Sequence, residues 1–121
     1  MTSIPNYHPQ PSADEVLLEA LLNAATHLHI KKKDLGEIIH LDERTLRRKS
    51  GLDPDGAPGQ LALLLVRAYR AAFVLTGNEV GARQWFSTPN RALNGTPREL
   101  AGRIDGLVRV VAYLDAMRGK V

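Results

Sequence analysis

Between Lys33 and Lys49 the chain reads KDLGEIIHLDERTLRRK, with side chains suited to holding a nucleic acid rather than to performing a reaction. Gly36 is a small residue where two helices must approach closely, and His40 stands four residues on, at the turn. Leu41 plugs that turn, Asp42 caps the following helix and Leu46 anchors it inward. With Leu46 facing in, Arg44, Thr45, Arg47 and Arg48 face largely outward. This is the anatomy of a helix-turn-helix, whose second helix enters a major groove with Arg reading guanine edges. Lys31, Lys32, Lys33 and Lys49 fall where phosphates would pass. The same pattern also fits an αα-hairpin with a solvated basic face. Glu43 and the His40 turn depart from the ideal, because Gly or Asn takes a left-handed turn more readily.

Other chemistry finds little support. The chain has no Cys, which removes disulfides, thiolate metal ligands and thiol nucleophiles together. His27 and His29 are two apart on a helix and face opposite ways, while His8 and His40 lie elsewhere, so no metal is expected. No Ser sits in a nucleophile elbow and no Gly-rich loop could cradle a phosphate. Asp105 and Asp115 flank the final helix without the spacing of a paired acid and base. The sequence therefore predicts neither catalysis nor a cofactor.

The elements that must position the basic row read as an all-α chain. The first twelve of the 121 residues contain Pro5, Pro9 and Pro11 and predict an extended arm. A helix-turn-helix region follows over residues 13–58. Its first helix starts at Ser12 as N-cap and carries Leu17, Ala20, Leu21, Ala24 and Leu28 on one face. The second helix turns Leu35, Ile38 and Ile39 inward, and Gly51 is expected to stop the third. Residues 59–77 form a central helix, from about Gln60 to Thr76 and capped by Gly77, that is apolar around most of its circumference. Such a helix is either buried or shared, and Leu61, Leu64, Leu65, Ala68, Ala72 and Leu75 predict a homodimer through it. Residues 78–121 make a further helical unit, its last helix starting near Gly106 with Leu107, Val110, Val111, Leu114 and Met117 on one face.

Charge follows the same division. Residues 1–30 carry Asp14, Glu15 and Glu19 and no Lys or Arg, a net −3. Residues 31–51 set seven basic side chains against four acids, and residues 78–121 again seven against four, +3 in each case. The start of the chain is not a secretory signal, and the longest apolar run is interrupted by Arg67 and Arg70. A soluble cytoplasmic protein with no membrane association is the expectation.

One stretch, WFSTPNRALNGTP over residues 85–97, interrupts the helical pattern. Trp85 and Phe86 close a helix, and Pro89 prevents its continuation. Ser87, Thr88 and Asn90 can satisfy the freed backbone groups. Leu93 returns to the core, Gly95 permits a positive φ, and Thr96-Pro97 starts another helix with Thr as N-cap. The residue types predict a tight corner with a buried Trp85 as its packing anchor.

Trp85, Pro89, Asn90, Leu93, Gly95, Pro97, Leu100, Gly106 and Gly119 together resemble the C-terminal domain of the Xre/ParS/MbcA-type antitoxins over residues 78–121. Residues 13–51 are similar in layout to the Xre-like half of that family. AGRIDG departs from the family pattern, which often has Thr and Glu before the Gly. The resemblance implies an antitoxin that dimerises, binds a RES-domain, NAD-consuming toxin through the C-terminal domain and obstructs its NAD pocket with the chain end. Binding to its own promoter through the Xre-like half is implied as well. On that reading Asp115, Arg118, Gly119, Lys120 and Val121 form the toxin-binding end, while Lys32, Lys33, Arg44, Thr45, Arg47, Arg48 and Lys49 bind operator DNA. A stand-alone transcriptional regulator remains the alternative, with residues 78–121 serving only dimerisation.

Overall fold

Ser12 opens the first helix with a reciprocal cap. Its Oγ accepts the Glu15 amide at 3.2 Å, and the Ser12 amide donates to the Glu15 carboxylate at 3.5 Å. In the computed structural model, which describes residues 10–119, seven helices follow one another with no strand among the described residues. The expected arm lies mostly outside the described residues, as does His8.

The helices are α1 (Ala13–Leu28), α2 (Lys32–Ile39), α3 (Glu43–Arg48), α4 (Ala57–Thr76), α5 (Glu79–Ser87), α6 (Pro97–Leu100) and α7 (Ile104–Arg118). Most of their ends have local chemical causes. His29 and His40 take left-handed turns after α1 and α2, at φ 57° and 61°. Gly77 does the same after α4 at φ 95°, and the Asn78 side chain caps α5 by accepting the Gly81 amide at 2.7 Å. Gly51 does not stop α3. That helix ends at Arg48 with Lys49 extended, and Leu52 then straps the exit to α1 by donating its amide to the Asp14 carbonyl at 3.0 Å.

α4 is the packing centre. It contacts α7 most extensively, then α1 and α5, and it also contacts α2. It begins three residues earlier than its sequence pattern predicts, because Gly56 serves as N-cap and Pro58 falls in the first turn, where no amide is needed. At 20 residues α4 is long and apolar enough to cross a membrane by length and composition, but half of that window is buried inside this fold.

The expected dimer surface on α4 needs correction. Leu61, Leu65, Ala68 and Ala72 are buried in the chain's own core, against Leu21, Leu107 and Leu114 among others. A helix surrounded by four others spends most of its apolar circumference inside the monomer. The large apolar side chains it leaves exposed are Leu63, Phe73, Val74 and Leu75.

Candidate functional site

The α2–α3 turn is built by backbone proximity. A Cβ at Gly36 would lie 2.3 Å from the Leu41 carbonyl oxygen, so only glycine lets the turn close. Leu41 donates its amide to the Gly36 carbonyl at 2.9 Å, and His40 takes the left-handed conformation despite its side chain. Asp42 then caps α3 with both carboxylate oxygens, one accepting the Thr45 amide at 2.8 Å and the other the Thr45 hydroxyl at 3.0 Å. The hydrogen bond from the Thr45 amide, reinforced by its hydroxyl, holds the Asp42 carboxyl below the ordinary carboxylate range.

Buried Leu46 turns Arg44, Arg47, Arg48 and Lys49 to solvent, as the helical period requires. Thr45 is different: it is half-buried and its hydroxyl is committed to Asp42. Arg47 is held by Glu43 one turn earlier, with Nη2 at 2.6 Å and Nε at 3.0 Å from the same oxygen. The face therefore presents Arg44 and Arg48 outside any ion pair among the described residues, beside an Arg47 that must exchange Glu43 for any new acceptor. Lys32 and Lys33 are exposed in the first turn of α2. A six-residue α3 spans only about 9 Å, enough for a few base pairs.

The corner after α5 differs from the expected one in its anchor. Phe86 is almost wholly buried at 1% exposure, whereas Trp85 is half-buried. Trp85 lies on the flank of the core, stacked on Tyr113 at 6.1 Å between ring centroids and edge-on to Phe86 at 5.2 Å. Adjacent residues on a helix point about 100° apart, so only one of the pair can take the inward direction. Thr88 donates its hydroxyl to the Gln84 carbonyl at 2.6 Å, and Asn90 Oδ1 accepts the Leu93 amide at 3.1 Å. Asn90 and Gly95 exchange backbone hydrogen bonds across the loop, and the positive φ falls on Asn94 at 56°, not on Gly95. Thr96 occupies the N-cap position without a side-chain cap, while Pro97 starts α6 and is fully buried.

Arg109 on α7 donates to the Leu93 carbonyl at 2.7 Å and so pins the loop, a role with no local signal in the sequence. Farther along α7, Asp115 pairs with Arg67 of α4. Asp115, read from the sequence as part of the toxin-binding end, keeps a 34% exposed side chain in this pair. Arg118 and Gly119 are exposed, and Gly119 keeps a right-handed helical φ of −69°. Lys120 and Val121 lie outside the described residues.

Polar links join the halves, among them Arg83 of α5, which donates to the His27 carbonyl at 3.3 Å. Arg98 of α6 reaches Asp34 of α2 at 3.4 Å. His27 Nδ1 lies 2.6 Å from the Tyr69 hydroxyl and 3.2 Å from a Glu79 carboxylate oxygen. Burial, with the Glu79 charge as a second cause, raises the Tyr69 hydroxyl above its ordinary range and keeps it a donor. His29 is the exposed C-cap of α1 and does not approach His27's partners. Among the described residues no three metal-ligating side chains converge.

The sequence matches two known family models. Residues 9–67 are similar to the antitoxin Xre-like helix-turn-helix domain, and residues 71–120 to the antitoxin Xre/MbcA/ParS C-terminal toxin-binding domain. Neither is a family of enzymes. No curated protein matches the chain.

Proposed function

The chain belongs to the Xre/MbcA/ParS antitoxins, and from that membership we propose that it neutralises a RES-domain, NAD-consuming toxin and represses its own promoter. It does so as a cytoplasmic homodimer. The observation that carries the reading is α4, which packs on α1 and α2 on the DNA side and on α5 and α7 on the toxin side. α3, which carries the basic row, packs on α2, and α2 in turn packs on α4.

Neutralisation needs no catalytic residue from the antitoxin. A pocket that binds the NAD pyrophosphate must offer donors to anions. The segment Gly119 to Val121 enters that pocket and excludes NAD by its bulk. Exposed Arg118 makes a flanking ion pair there, whereas Asp115 first releases Arg67. The dimer uses the exposed apolar side chains at the end of α4 and the start of α5, namely Phe73, Leu75 and Val80.

Co-expression with the product of the adjacent reading frame tests the proposal. The toxin alone should arrest growth and deplete NAD, and this chain should restore both. A promoter reporter should fall when the chain is present. A neighbouring protein that neither binds the chain nor consumes NAD would leave the reading without support.

A further inference from the structure

We propose that the groove between α4 and the end of α7 is where the toxin docks an acidic segment, one that sets a carboxylate beside an aliphatic side chain. The inference rests on the antitoxin reading above. Arg67, Arg70 and Arg118 line this open groove of about 580 Å³, and its floor is apolar, made by Leu63, Leu64 and Val66. Three guanidinium groups gathered over an aliphatic floor form a surface for a ligand that is anionic at one end and oily at the other. Arg67 is already paired with Asp115, a turn before Arg118 on α7. Arg70 and Arg118 have no ion-pair partner among the described residues, so both can pair with a carboxylate.

Two other occupants fit less well. A second copy of the chain meeting this face across a two-fold axis would bring Arg67 and Arg70 against their own duplicates, a repulsive pairing. Nucleic acid would gain the arginines but strand the phosphate backbone on Leu63, which is 46% exposed, and on the aliphatic floor beneath it. The groove also lies at the seam between the two matched regions, residues 9–67 and 71–120, so a segment held there touches both.

Charge reversal in the full-length chain tests this. Arg70→Glu and Arg118→Glu replace exposed side chains and should leave the melting temperature unchanged. Calorimetric titration with the product of the adjacent reading frame should show each variant binding about tenfold or more weakly than the wild type, with a flatter salt dependence. Arg103→Glu makes the same charge change at the other end of α7 and should bind within twofold of wild type. If folded Arg70→Glu and Arg118→Glu proteins also bind within twofold, the groove is not the docking site, although the antitoxin reading stands. If the wild type itself does not bind, that reading fails and takes this inference with it. Variants that keep toxin affinity but lose affinity for promoter DNA would assign the groove to nucleic acid and overturn the proposal.

Discussion

Gly106 lies so close to Leu100 that a Cβ on the glycine would stand 2.0 Å from the Leu100 carbonyl oxygen. The first turn of α7 thus packs directly on the backbone at the end of α6, and neither side can yield by rotating a side chain. Gly106→Ala should therefore cost about 2–3 kcal/mol, at the upper end of overpacking penalties, and lower the melting temperature by roughly 10 °C. Gly119→Ala should be neutral, since the nearest atoms to its added carbon are 3.6 Å away and its φ of −69° suits any residue. Thermal denaturation followed by circular dichroism separates the two. Equal melting temperatures would show that α6 and α7 are not in this contact.

On the DNA side, replacing Arg44 and Arg47 together with Ala should abolish preference for the promoter sequence. A bidentate guanine contact is typically worth about 1–3 kcal/mol. Replacing Lys32 and Lys33 should instead weaken binding to every sequence and lower the salt slope by about 2. Fluorescence anisotropy with promoter and scrambled duplexes at several salt concentrations resolves these outcomes. Full sequence preference in both double variants would remove α3 from the groove.

Asp42 gives a pH test. Its carboxyl titrates below the ordinary range in the folded chain, so its cap contributes stability above the unfolded carboxylate range and loses it as pH falls through the folded value. Asp42→Ala should melt below the wild type at neutral pH, and the gap should begin to narrow below about pH 3.8 and close only once the pH has passed the lower folded value. A gap that persists unchanged in acid would mean that the carboxylate is not the cap.

The corner yields a ranking. Phe86→Ala removes a fully buried ring and should cost roughly 3–5 kcal/mol. Trp85→Ala removes a half-buried one and should cost less, because its outer edge keeps its solvent contact. As the only Trp, Trp85 reports on itself: its fluorescence should be accessible to a neutral quencher in the folded state. Complete protection, with a penalty matching that of Phe86→Ala, would restore Trp85 as the anchor.

The helices and their ends were readable in the sequence wherever a cap states its own geometry. Ser12, Asp42 and Gly77 each act on residues within a turn of themselves, so local chemistry decides the outcome. The orientation of α4 was not readable. A helix apolar on nearly all sides carries no preferred inward direction in its pattern, and only its four neighbours decide that Leu61 and Leu65 are inside while Leu63 and Val74 are not. The same holds for which ring of Trp85–Phe86 turns in. Pairings such as Arg67 with Asp115, or Arg109 with the Leu93 carbonyl, join separate elements with no local pattern to announce them. The face of α3 was legible because it follows helical period alone, but the commitment of Thr45 to Asp42 depends on rotamers that period does not set.

The chain end bears the sharpest functional prediction. α7 keeps its right-handed turn through Gly119, where the glycine amide still bonds to the Asp115 carbonyl at 3.0 Å. Asp115 is already paired with Arg67 at the surface, so the part of the chain end proposed to enter the toxin's NAD pocket is Gly119 to Val121. Deleting Gly119 to Val121 removes that segment, and Gly119 itself is exposed and outside the buried core. The truncated chain should therefore melt, dimerise and bind promoter DNA as the wild type does. It should still bind the toxin through the C-terminal half, but with NAD turnover restored in proportion to the access regained. Measuring NAD consumption by the toxin at saturating antitoxin separates a plug from a clamp. A truncated protein that binds and still suppresses turnover completely would show that the grip on the toxin's surface suffices, and that the chain end is not what keeps NAD out.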